Sequence, residues 1–164
     1  MTIAHASFSI ERTYRHSPDR VFHAFADEST KRSWFREGND PASHFALDFR
    51  VDGRESSLSH LGADEALPAE IRGAAIGNET VFHDICENSR IVFSYRMTIN
   101  GVTMSVSLGT VEIVDHEDGA RLTYTEQGAF FPNADGPEMR KNGWTDLLEK
   151  LGAVLDRTAV PSGR

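Results

Sequence analysis

Three observations predict an α+β fold in which one antiparallel sheet packs on helices. Segments that alternate apolar and polar residues are joined by Asp52-Gly53, Asn100-Gly101 and Asp118-Gly119, dipeptides that favour hairpin turns. A single long stretch, 137–156 (PEMRKNGWTDLLEKLGAVLD), places Trp144, Leu147, Leu148, Leu151, Val154 and Leu155 on one helical stripe. Two short helical segments directly follow the first strand pattern. The long stripe needs an apolar partner, and the sheet is the only element large enough to supply one.

Taken in order, Phe8, Ile10, Arg12 and Tyr14 share one face of a first strand. Ser17 caps a short helix opened by Pro18, with Val21, Phe22 and Phe25 on its apolar side. Asp27 caps a second short helix that ends near Trp34-Phe35. Residues 36–43 are a turn-rich connection. Phe45, Leu47, Phe49 and Val51 mark a second strand, and Glu55 to Leu61 a weakly patterned return strand. Residues 62–73 read as a polar loop with room for one helical turn. Strands follow over Thr80 to Cys86 and Arg90 to Ile99, the latter with Ile91, Phe93, Tyr95, Met97 and Ile99 on one face. Val102, Met104, Val106 and Leu108 share a face of the next strand. After Gly109 the apolar parity moves to Val111 and Ile113, which predicts a bulge at that glycine. Leu122, Tyr124 and Glu126 share a face of the last of about six strands that follow the short helices, and Gly128 to Gly136 form a loop. Asp135 and Glu138 predict a capping box for the long helix, whose polar side carries Arg140, Lys141, Asp146, Glu149 and Lys150.

The totals narrow the function. The chain of 164 residues has the size of one domain, 1–164, with its core over about 6–157 and a loose tail at 158–164. A formal net charge of −8 disfavours nucleic acid and anionic membrane surfaces as partners. No stretch has the length of a membrane span, and the N-terminus lacks the basic and apolar regions of a signal peptide. Cys86 is the single cysteine, which with the preceding points suggests a cytoplasmic protein.

Five strings in this order resemble the SRPBCC, or START-like, superfamily: RTYRHSPDRVFHAFADESTKRSWF at 12–35, FRVDGR at 49–54, ENSRIVFSYRM at 87–97, RLTYTEQGAFF at 121–131 and NGWTDLLEKL at 142–151. Within it they are similar to the family named after the C-terminal domain of the activator of the heat-shock protein 90 ATPase. The resemblance implies a helix-grip fold, a curved sheet around the C-terminal helix with a largely apolar cavity between them. It does not imply a reaction, because the superfamily contains lipid and hormone carriers, aromatase/cyclases and a co-chaperone domain. Three functions follow in order of expectation. The first is a binder of a small lipophilic or aromatic molecule, and the second a cyclase/dehydratase-like enzyme with Glu126 as acid or base. The third is a co-chaperone. A lone domain, without the N-terminal domain of the eukaryotic co-chaperone, argues against a chaperone partner.

Glu126 is the leading candidate residue, because strand parity points it inward with Leu122 and Tyr124. A carboxylate buried without partners is pushed toward protonation and toward acid–base work. Arg12, inward on the first strand, is a candidate partner whose charge would make the pair structural. Tyr95 and Tyr124 offer a ring and a hydroxyl to a ligand, and Trp34 and Trp144 are large aromatics expected near the cavity. Each of these four is also the kind of residue that simply fills a core. Histidines 5, 16, 23, 44, 60, 83 and 116 are scattered without metal-ligand spacing, and His83 and Asp84, adjacent on a strand, are expected on opposite faces. No metal or cofactor is implied. The edge strands of an open sheet leave room for a homodimer.

Overall fold

The computed structural model describes residues 2–35, 43–63, 67–132 and 134–158. Its elements run β1 (Ala4–Tyr14), α1 (Pro18–Ala26), α2 (Glu28–Phe35), β2 (His44–Leu47), β3 (Arg54–His60), a 3-10 turn (Ala69–Ile71), β4 (Ala75–Cys86), β5 (Arg90–Ile99), β6 (Val102–His116), β7 (Gly119–Phe130) and α3 (Gly136–Thr158). The strands form one antiparallel sheet of seven in the order β1-β7-β6-β5-β4-β3-β2. The long helix α3 packs on β1, β7 and the two short helices. This is the expected helix-grip arrangement, with one strand before the two short helices and six after them. Most of the predicted connection at 36–43, and the tail beyond 158, lie outside the described residues.

The turns behave as their residues dictate. Asn100 and Gly101 both take positive φ, 49° and 81°, closing the tight β5–β6 hairpin. The second predicted strand is shorter than its pattern. It stops at Leu47, and residues 48–53 form a looped turn in which Asp52 has φ 67° and Gly53 donates to the Arg50 carbonyl. Phe49 leaves the ladder yet keeps its core role, meeting Phe22 edge-on at 5.6 Å and Phe82 at 5.1 Å.

The predicted bulge at Gly109 is absent. The β6–β7 ladder runs without a break from Ser105 to His116, and the register shift falls earlier, where Met97 pairs with Ser105 and Thr98 with Thr103. From there the inward residues of β6 are Ser105, Ser107, Gly109, Val111 and Ile113, while Val106 and Leu108 face outward and are exposed. The apolar pattern misled because the inward side is built of small residues. A Cβ at Gly109 would meet the Phe93 ring at 2.6 Å and the Tyr124 hydroxyl at 3.0 Å, so only glycine fits there without repacking.

Helix capping departs from expectation at two of the three helices: Ser17 holds the N-cap position of α1, but its side chain makes no capping hydrogen bond. At α2 the Asp27 carboxylate accepts the Thr30 N–H at 3.0 Å and the hydroxyls of Ser29 and Thr30. At α3 both carboxylate oxygens of Asp135 instead accept from Arg140, in place of the expected capping box with Glu138. His83 and Asp84 lie at a register shift in β4 and take separate partners, Ser94 and Arg90.

The Thr30 and Ser29 hydrogen bonds hold the Asp27 carboxyl below the ordinary aspartate range. Its capping contribution is therefore complete at neutral pH and is lost as pH falls through that depressed pKa. Asp27→Ala is expected to cost about 1 kcal/mol at pH 7. Urea unfolding of both proteins should show that gap closing in acid; a gap unchanged down to the acid transition would contradict the cap.

Candidate functional site

Two neighbouring features stand between the sheet and α3, a buried polar network and an open pocket. The network is centred on Glu126, which is fully buried. Its Oε1 accepts the hydroxyls of Tyr95 and Tyr124, each at 2.7 Å, and its Oε2 accepts the Ser107 hydroxyl at 2.8 Å and Arg140 Nη1 at 3.3 Å. Arg140 Nη1 also donates to the Tyr95 hydroxyl at 3.0 Å, and Nη2 donates to Ser105 at 2.8 Å. The opposite edge of the guanidinium holds Asp135 in a two-point clasp, Nε to Oδ2 and Nη2 to Oδ1, both 2.8 Å. Trp144 Nε1 donates to the Tyr95 hydroxyl at 3.3 Å, and its ring stacks on Tyr124 with centroids 3.9 Å apart.

Burial pushes the Tyr95 and Tyr124 phenols up, and the adjacent Glu126 charge adds to it, so both stay protonated donors. Burial works against the charge of Arg140. Tyr95, Asp135 and Glu126 outweigh it and hold the guanidinium above its ordinary pKa. A buried ion pair of this kind gains from its extra hydrogen bonds, which satisfy the remaining lone pairs and protons.

The pocket, about 400 Å³, opens beside this network between the inner faces of β3–β5 and the N-terminal half of α3. Phe35, Ile76, Met97, Trp144 and Leu147 form its apolar wall, with Tyr95, Asp135, Arg140, Asp146 and Lys150 among its polar members. Helix α3 turns Gly143 to this space, and a Cβ there would meet nothing within 4 Å. On β3 the pocket side carries Ser57 and Ser59. That explains the weak pattern of this strand: its inner face borders an opening rather than a dry core. Desolvation lowers the Lys150 pKa at the same pocket.

The six residues singled out from sequence divide into four groups. Tyr95 and Trp144 line the pocket. Glu126 and Tyr124 stand behind that lining in the network, and Glu126 has both oxygens committed. Trp34, fully buried, donates to the Ala24 carbonyl and packs on Phe25 and Phe35, supporting the wall from behind. Arg12 lies elsewhere. The register sets Phe8, not Arg12, opposite Glu126, and Arg12 Nε sits 3.3 Å from exposed Glu149 on α3. The proposed Arg12–Glu126 pairing is replaced by Arg140–Glu126.

Arg140 is the residue that sequence reading missed, having been assigned to the polar side of α3. Its signal was present, since positions 140, 144, 148, 151 and 155 share one helical phase. A second buried pair, Lys31 with Glu55, ties α2 to β3 beneath Phe25, Phe35 and Phe82. Among the described residues, His116, Glu117 and Asp118 are the one group whose potential metal-ligand atoms meet. They occupy a solvent-facing turn in which His116 Nδ1 already accepts the Asp118 N–H. No helix among the described residues is long and apolar enough to cross a membrane.

Removing one partner of the central pair isolates its worth. Arg140→Met takes the ion-pair partner from buried Glu126, with an expected loss of about 3–5 kcal/mol. The double change Arg140→Met with Glu126→Gln should recover part of that loss in denaturant unfolding. A double variant no more stable than the single one would show that the two groups do not act as a pair.

The Mll3558 protein from Rhizobium loti is similar at 48% identity, over 94% of this chain and all of that one, with a TM-score of 0.80. An uncharacterised protein from Rhizobium leguminosarum is similar at 31% identity, over 95% of this chain and 97% of that one, with a TM-score of 0.83. A Chromobacterium violaceum protein at 21% identity, covering 90% of this chain and 95% of its own, shares the fold with a TM-score of 0.66. No curated protein matches the chain. Residues 15–156 match the model of the family described as Activator of Hsp90 ATPase homolog 1-like protein. That match overturns the expectation against a chaperone partner, which rested only on the lone domain. The chain belongs to the Activator of Hsp90 ATPase homolog 1-like family, within the START-like superfamily.

Proposed function

We propose that this protein is a binding module of the Hsp90-ATPase-activator kind, working on a chaperone partner through its outer surface. The observation that carries this reading is the family match over residues 15–156. The filled interior agrees with it: behind the pocket, the space between sheet and α3 is taken up by the Glu126–Arg140 network and the Tyr124–Trp144 stack. A cytoplasmic setting goes with such a partner. The test is ATP turnover by the Hsp90-type ATPase of the same organism, with the folded protein added in excess and the heat-denatured protein as control. Stimulation by the folded protein alone is expected. Unchanged turnover together with no binding heat in calorimetry would refute the reading.

The pocket favours a second reading, in which the module also holds a small amphipathic molecule. Its volume lies at the small end of ligand sites, and it has the usual composition of an apolar wall with few polar groups. A ligand at 100 times its dissociation constant adds about 2.7 kcal/mol of stability. A panel of aromatic and aliphatic compounds should therefore raise the melting temperature of the wild type by several degrees. Leu147→Trp, which fills the pocket from α3, should abolish the rise. Equal shifts in the two proteins would place binding elsewhere.

A further inference from the structure

Arg140 presents two edges to two carboxylates of different character. Glu126 on one edge has no exposure and four donors. Asp135 on the other edge has a side chain 21% exposed and, with Arg140, lines the pocket. The Asp135 clasp, two parallel N–H···O bonds of 2.8 Å, is the geometry in which a guanidinium takes any carboxylate. It is supplied by the residue just before α3, next to Gly136, which has φ +83° and open space where a Cβ would stand.

Resting on the ligand reading of the pocket, we infer that Arg140 anchors a carboxylate subsite there, and that Asp135 is its resident occupant, displaced when a small amphipathic organic acid binds. Charge requires exchange rather than addition. One guanidinium already faces two carboxylates, and a third anion beside them would be repelled. When the ligand carboxylate takes the Nε/Nη2 edge, the charge around Arg140 is unchanged and Asp135 turns to water, which it already partly meets. Glu126 stays in place because its bonds to Tyr95, Tyr124 and Ser107 do not involve that edge. The apolar body of the acid then lies along Trp144, Phe35, Met97 and Leu147, while Lys150 and Asp146, a cation and an anion, offset one another in the same pocket.

The experiment is calorimetric titration of the full chain at pH 7 with 2-naphthoate, indole-3-acetate and decanoate, each beside its primary amide. Wild type, Asp135→Asn and Lys150→Gln are compared, with urea unfolding confirming that each variant is folded. The expected result is acids binding at least tenfold more tightly than their amides. Asp135→Asn should tighten acid binding severalfold, since the resident competitor loses its charge, without changing amide binding. The acid preference should persist in Lys150→Gln. Acids and amides binding equally well would leave the pocket reading intact and overturn the anchor. So would an acid preference lost with Lys150, or acid affinity that Asp135→Asn leaves unchanged or weakens. Probes that all fail to bind would overturn the pocket reading and the inference together.

Discussion

A carboxylate with no exposure in the core sets the terms for the rest of this structure. Glu126 is tolerable only with every lone pair engaged, because an unpaired charge there would cost several kcal/mol. Its partners come from four elements: Tyr95 on β5, Ser107 on β6, Tyr124 on β7 and Arg140 on α3. A shift of α3 along the sheet would break the ion pair and leave a buried charge. Apolar contacts between helix and sheet tolerate sliding far better than this network does. The network therefore fixes the register of the grip, while the hydrophobic stripe provides most of its strength.

That demand propagates into the strands. The helix must come close enough for a guanidinium to reach β6 and β7, so the first half of the inner face of β6 carries only small residues, Ser105, Ser107 and Gly109. The room they leave is taken by large rings, with Phe93, Tyr124 and Trp144 in mutual contact. Aromatic contact continues from Trp144 through Phe35 and Trp34 to Phe25, which joins α3 to both short helices. The close fit at β1 follows the same rule, with the Tyr14 hydroxyl bonded to the Leu148 carbonyl and its ring against Gly152.

The opening lies where this packing ends. The inner face of β3 holds serines beyond Glu55, and α3 turns Gly143 toward them, so sheet and helix diverge into a pocket. Its floor is the exposed side of the network, so any molecule entering it meets groups whose geometry is already set by the fold. Phe35 forms part of the wall and is held by α2, which the Lys31–Glu55 pair ties to β3.

Local patterns carried most of the architecture. Period-two alternation, Asn100-Gly101 and Asp118-Gly119 located the long strands, Ser17-Pro18 and Asp27 located the short helices, and one stripe located α3. These features are set by interactions among near neighbours in the chain, which a sequence displays directly. The inward direction of Glu126, Tyr95 and Tyr124 was legible for the same reason. Partnership was not. Whether Glu126 meets Arg12 or Arg140 depends on the β1–β7 register and on where α3 lies, and a charged residue in phase with an apolar stripe looks solvent-facing until its partner is known. The parity of β6 misled because serine and glycine inside, with valine and leucine outside, invert the usual code when large rings from neighbouring strands fill the space. Sequence alone determined the elements and their order. Only the tertiary structure decided which charges are paired and where the core stops and a pocket begins, because burial and pairing are properties of surfaces brought together from distant parts of the chain.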